Sequence, residues 1–226
     1  MKKIVLFGLI ISSFLLGAEK KALTEIMTNE TWPYCGPQDA AFDAYFDPAN
    51  SNYVGDENAA NWARVKYSMS WPSSTDPFYL ANPTEQNERR TYYGVNGIPA
   101  GFGNGSSAGS SAATWRSSGL SNIGDPTPVS IVFNGGMIDD ELQMSVTVSS
   151  ESDLSTADLR LFVCTSIDSV YYNSPSAYDD FENVFVDFLT SSSGQDLDLD
   201  GVNDITEEFN WSMPSPWPNT NPNIIW

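Results

Sequence analysis

The sequence predicts an α/β unit in the first half of the chain and an antiparallel all-β unit in the second. Three observations carry this. Up to about residue 102, strand-like runs alternate with helical ones. A stretch rich in Gly and Ser and closed by two prolines follows, "GNGSSAGSSAATWRSSGLSNIGDPTP". Beyond Val129 almost every apolar run has the length and alternation of a strand.

The elements follow in order. Residues 1–18 pair a short positive start, "MKK", with an apolar run ending in small residues. That is the pattern of an export signal, too short for a spanning helix and followed at once by charge. "ALTEIM" (22–27) is a first strand. Residues 37–46 place Ala41, Phe42, Tyr45 and Phe46 at helical spacing, and Asp47-Pro48 stops the helix. "WARVKYSMSW" (62–71) alternates as a second strand. "NPTEQNERRTYYG" is a helix with Asn82 as N-cap, Pro83 at the first position, Glu85 at capping-box spacing and Gly94 at the exit. "IPAGFG" is a short third strand, and residues 102–128 form a connection that is partly linker. The boundaries expected are therefore 19–124 for the α/β domain and 129–226 for the β domain. Strands are expected at 129–133, 142–150, 158–167, 182–189 and 205–211. The final "NIIW" opens a further strand, so the sequence is expected to be truncated at its C-terminus.

Composition excludes several functions. The 226 residues carry 29 acids, 10 Lys or Arg and no histidine. Loss of residues 1–18 takes Lys2 and Lys3 and leaves a net charge of −21, 29 acids against 8 bases. So acidic a chain repels phosphate backbones and anionic lipid, which argues against nucleic acid as a partner. Without histidine there is no Ser-His-Asp or Cys-His catalysis and no histidine-ligated zinc, and two cysteines cannot build a four-thiolate site.

The chemistry, if there is any, centres on "TWPYCGPQD" (31–39) at a strand-to-helix junction. A thiol there feels the helix dipole and unpaired N–H groups, which favour the thiolate. The motif, with Cys35, Gly36 and Pro37, resembles the thioredoxin active site, in which two cysteines flank Gly-Pro. A second segment, "YYGVNGIPAGFGNG" (92–105), resembles the thioredoxin stretch that carries a cis proline beside the active-site cysteine. That likeness implies a cis Pro99 whose neighbouring backbone is offered to an extended peptide. More specifically, "ALTEIMTNETWPYCGP", "VKYSMSWPSSTDPFY", "ERRTYYGVNGIPAG", "LRLFVCTSIDSVYY" and "ENVFVDFLTSSSG" are similar to the Omp28-related family of exported bacterial proteins. The resemblance implies a thioredoxin-like domain followed by an immunoglobulin-like β-sandwich. Two departures stand out: Gln38 replaces the second cysteine, and Ser68 stands where a histidine is frequent. A dithiol oxidoreductase releases its mixed disulfide with the second thiol, so Gln38 removes the resolving step. Cys35 then remains as a candidate nucleophile of a monothiol redox protein, or as a small residue capping a helix. Cys164 lies mid-strand, where a free cysteine behaves as a core residue. A Cys35–Cys164 disulfide is the other arrangement open to the two thiols.

"DLDLDGVNDITE" (196–207) fits the D-x-D-x-D-G-x₅-E calcium-loop pattern. Asp196, Asp198, Asp200, the Val202 carbonyl, Asp204 and Glu207 are the candidate ligands of a structural Ca²⁺, although no helix precedes them. Trp62, Trp71, Trp211 and Trp217 suggest either core packing or a glycan platform. The expectation is an exported protein of the periplasm, outer-membrane surface or medium. Its thioredoxin-like domain would serve as a scaffold or as a module binding a protein or peptide partner. A monothiol enzyme and a calcium-stabilised adhesion or glycan-binding protein are the alternatives.

Overall fold

The computed structural model describes residues 18–139, 141–176, 178–214 and the backbone of 222–225. The export signal read at 1–18 lies almost wholly outside these residues, as does Trp217. The elements that build the site are β1 (Ala22–Thr28), α1 (Gly36–Asp43), β2 (Trp62–Ser68), α2 (Pro83–Tyr93), β3 (Ala100–Gly103), β4 (Ser106–Gly109) and α3 (Ala112–Leu120). In the second half follow β5 (Val129–Ile138), β6 (Glu141–Ser150), β7 (Cys164–Ile167), β8 (Val184–Phe188), β9 (Ile205–Ser212) and β10 (Pro222–Ile225).

One seven-stranded sheet runs β10-β7-β8-β2-β1-β3-β4. β1 and β2 are parallel, Ala22 opposite Trp62 through Thr28 opposite Ser68, with α1 in the crossover between them. β3 returns antiparallel to β1 and turns through a hairpin into β4. α1 and α3 cover one face over Ala22, Ile26, Phe42, Trp62 and Trp115. Met27, Val65, Tyr67 and Phe102 pack beneath the other face. The period-2 alternation of β1 and β2 thus serves two cores, one on each face.

α2 ends as the sequence expects. Asn82 Oδ1 accepts from the Glu85 amide at 3.3 Å, its Nδ2 donates to Glu85 Oε2 at 2.8 Å, and Gly94 closes the helix in the left-handed region with φ 65°. The Gly/Ser-rich stretch differs from the connection expected there, because it forms β4 and α3. Ser111 caps α3 at the Thr114 amide, and fully buried Trp115 anchors it with an indole N–H donated to the Gly109 carbonyl at 2.9 Å. Gly119 lets α3 approach the sheet: a Cβ there would stand 1.8 Å from the Trp62 ring.

The second half does not form a separate sandwich. β8 pairs parallel to β2, Val184 opposite Lys66, and β7 follows antiparallel, so one sheet crosses the boundary expected at residue 129. The reason is in the run "VFVDF". Val184, Phe185 and Val186 are wholly buried, which requires cover on both faces, as in a central strand. Phe185 joins the core beneath β1 and β2. Val184 and Val186 face a third cluster with Leu142, Val146, Val148 and Trp211. That cluster is closed by a three-stranded antiparallel sheet, β9-β6-β5. The strand read at 158–167 is broken into Leu159–Leu161 and Cys164–Ile167.

A candidate site sealed around Cys35

β1 delivers the chain to Thr28, and residues 29–35 turn into α1. Cys35 takes the N-cap position with helical φ and ψ of −76° and −53°, and its side chain caps nothing. Its carbonyl accepts the amides of Gln38 at 2.8 Å and Asp39 at 2.9 Å. The register that pairs Met27 with Ala100 carries Thr28 and Pro99 to the same end of β1 and β3. The Ile98–Pro99 peptide bond is cis, as is Trp71–Pro72.

The sulfur is not presented to solvent. Cys35 has 0% exposure. The second half of the chain packs onto the Cys35 neighbours Glu30 and Gly36. The Ser174 hydroxyl donates to the Glu30 carbonyl and lies 2.9 Å from the Ser176 hydroxyl. Ser176 packs on Gly36 so closely that a Cβ there would sit 2.8 Å from its Oγ. Gly36 is therefore needed for this close approach.

Nearby lies a buried cluster of acids. Glu30, Asp39 and Asp76 all have 0% exposure. Asp76 accepts the amides of Glu30 at 2.8 Å, Phe78 at 2.9 Å and Tyr79 at 3.1 Å. Ser68 donates its hydroxyl to Glu30 Oε1 at 2.8 Å. Thr28 donates to Asp39 Oδ2, while Glu30 Oε2 and Asp39 Oδ1 meet no donor among the described residues. Burial, then the neighbouring Asp76, pushes the Glu30 carboxyl well up. Burial raises Asp39 to about 6, although Lys66 and the Thr28 hydroxyl pull it down. Burial and then Asp39 raise the Cys35 thiol to about 12, against weaker help to the thiolate from Thr28 and the Asn29 backbone. The helix-dipole argument for an activated thiol is thereby overridden, because desolvation and a nearby carboxylate outweigh it.

Gln38 has acquired another task. Its Oε1 accepts the Ala112 amide at 2.9 Å, joining α1 to the start of α3. Both cysteines are free, so the Cys35–Cys164 bridge is not formed. Cys164 lies instead beside a 70 Å³ cavity with Glu25, Tyr67 and Arg89.

The Asp-rich loop does not gather ligands. Among the described residues no three acids or thiols are grouped to hold a metal ion. Asp196 lies in a strand (Gln195–Leu197), 3.4 Å from Arg160. Asp200 turns its carboxylate on its own loop, accepting the amides of Val202 at 2.8 Å and Asn203 at 2.7 Å. Glu207 is inside β9, opposite Val146. The last candidate ligand is thus held in a ladder, and a central one accepts two amides of its own turn. Calorimetry with Ca²⁺ is expected to show no specific heat, and the melting temperature should not move; a saturable heat lost in Asp200→Ala would reverse this.

Two of the four candidate tryptophans also turn inward, while Trp71 is partly buried. Trp62 and Trp211 are 7% and 8% exposed, with indole N–H groups donated to Thr24 Oγ1 and Asp187 Oδ2, each at 2.9 Å. They offer no ring face to a glycan.

Sequence reading located Cys35, Gly36, Pro37 and Pro99 but not Glu30, Asp39, Asp76, Lys66, Ser174 or Ser176. Glu30 and Asp39 flank the motif closely enough to have been suspected as its electrostatic environment. Ser174 and Ser176 give no local signal.

No protein-family model matches the chain, and no curated protein matches it. Two solved structures are similar. HBP35 of Porphyromonas gingivalis matches with a TM-score of 0.68 at 15% identity, over 87% of this chain and 66% of that one. Protein AGR_C_4864 from Agrobacterium tumefaciens matches with a TM-score of 0.55 at 14% identity, over 92% of each. The present chain thus spans about two thirds of the length of HBP35. Likeness at these identities extends to the fold alone.

Proposed function

We propose that this is an exported bacterial envelope protein in which a thioredoxin-like unit has been kept as a scaffold and protein- or peptide-binding module, without disulfide chemistry. The observation that carries the reading is the sealing of Cys35: no exposure, a thiol raised to about 12, and Ser176 packed on Gly36. A nucleophile must reach its substrate and ionise near the working pH, and this one does neither. Gln38 supplies no resolving thiol and is held by α3 instead. Export is supported by the apolar run in residues 1–18. In addition, no helix among the described residues is long and apolar enough to cross a membrane.

The second half contributes by docking onto the scaffold as well as by packing within itself. Asp43 of α1 is the junction. It pairs with buried Lys66 of β2, lies 3.4 Å from Arg64, and accepts the Tyr178 hydroxyl at 2.6 Å. Arg64 reaches Glu182 at 3.2 Å. These charges join the two halves through a paired network, buried at Asp43 and Lys66 and partly exposed at Glu182, which favours one fixed arrangement.

Turnover with a small disulfide substrate and an external thiol reductant tests the reading. The wild-type chain and Cys35→Ser are expected to give the same background rate. Activity present in the former and lost in the latter would establish the monothiol enzyme instead.

A further inference from the structure

We propose that β5 is the contact surface for a second copy of this chain, the two strands pairing antiparallel about a two-fold axis through Asn134. β5 is a ten-residue strand at the edge of the β9-β6-β5 sheet. Natural edge strands are usually blunted by lysine, proline, inward charge or shortness. The sequence "VSIVFNGGMI" has no proline and no charged residue, in a chain whose net charge is −19. Among the described strands it is the one long edge that a like-charged copy can approach without meeting charge along its length.

Register chooses the occupant. Residues of odd number on β5 lie on the core face, opposite Val148, Val146, Met144 and Leu142 of β6. Even-numbered residues share the solvated face with Thr147, Ser145 and Gln143. Yet Ile131 and Met137, on the core face, are 49% and 46% exposed, because among the described residues no strand pairs beyond this edge. Two-fold antiparallel pairing that continues a sheet keeps each face on its own side, so a residue meets one of equal parity. With Asn134 opposite its own copy, Ile131 meets Met137 of the second copy and Met137 meets its Ile131. Both exposed core-face side chains are covered at once. Phe133 then lies against Gly135, and on the solvated face half-exposed Val132 lies against Gly136, so a large side chain meets a bare backbone in each case. Ile138 meets Ser130, and Asp139, in the turn, stays outside the paired stretch. A foreign strand has no reason to match this order of large and small residues. The same strand reversed matches it throughout, and the product is a continuous six-stranded sheet.

Sedimentation velocity on the purified chain tests this. A dimer is expected in the micromolar range, with Ile131→Lys raising its dissociation constant by about a hundredfold, since a lysine would be buried opposite Met137 without a partner. Val132→Lys, on the solvated face, gives the same direction of change without touching the core and serves if Ile131→Lys folds poorly. In a Cys35→Ser, Cys164→Ser background, Asn134→Cys is expected to be joined to its copy by a short bis-maleimide, and Thr147→Cys, on the neighbouring strand, is not. A chain that sediments as a monomer up to about 100 µM overturns the proposal. So does a dimer that neither lysine weakens, or one in which Asn134→Cys does not crosslink.

Discussion

Arg89→Leu is expected to lower stability by about 3–5 kcal/mol, because it leaves a buried carboxylate without its cation. Arg89 is 5% exposed and Glu25 is 2% exposed. The guanidinium grips Glu25 with two bonds, Nε to Oε1 at 2.7 Å and Nη2 to Oε2 at 2.9 Å. Tyr67 donates to Oε1 at 3.0 Å, and Tyr93 donates to Oε2. Burial, with the Glu25 charge, pushes both phenols up, which keeps them as donors. Rings of Tyr92, Tyr93 and Phe162 surround the guanidinium at 4.6, 4.9 and 4.6 Å. In thermal melts the single variant should lose roughly 10 °C. Glu25→Leu with Arg89→Leu should recover most of the loss, since removing both charges leaves neither uncompensated. A single variant melting like the wild type would show that Glu25 finds other compensation.

Stability is expected to fall as pH rises from about 4 to 7, and Asp39→Asn should remove much of that fall. A carboxyl whose folded pKa lies above its unfolded one favours the fold when protonated. For Asp39 that contribution is complete below 3.8 and is lost as pH rises through about 6. Two units correspond to about 3 kcal/mol. Glu85, raised to about 7 chiefly by burial, and Glu30, raised chiefly by burial as well, act in the same direction. Repulsion among the chain's many acids adds to them. Asparagine preserves the acceptor for Thr28 and mimics the protonated acid, so at pH 8 the variant should be more stable by about 2–3 kcal/mol. Denaturant melts at pH 5 and pH 8 decide: equal stability of the wild type at both, or loss of stability in Asp39→Asn at pH 8, would show that Asp39 is held ionised.

Much of the first half was legible because its signals are local. Asn82-Pro83 and Gly94 bracket α2 in the sequence as they do in the structure. β1 and β2 show their alternation, and the turn at Cys35 is marked by Gly36 and Pro37. α3 was not legible, because Ala, Ser and Gly dominate it and Trp115 alone anchors its middle. β8 was legible as a strand, but its parallel neighbour 118 positions upstream was not, since "VFVDF" reports only that both faces are covered. The site divides the same way. Its position could be read from "CGP", while its state could not. Cys35 is silenced first by burial and then by the carboxylates of Asp39 and Glu30, and local chemistry at a helix N-terminus predicts the opposite. The Asp-rich stretch teaches a related lesson: the carboxylates at calcium-loop spacing are spread between two strands and the turn between them, which their spacing alone does not report.

The most direct test is the pH dependence of Cys35 alkylation in the native chain, followed by mass spectrometry of the modified peptides so that Cys164 is scored separately. Sealing predicts a rate at pH 8 about a thousandfold below that of a free cysteine, with no inflection between about pH 6 and 9. Denaturation should restore the ordinary rate. An inflection below about 8.5, or native labelling as fast as in the denatured chain, would contradict a buried, protonated thiol.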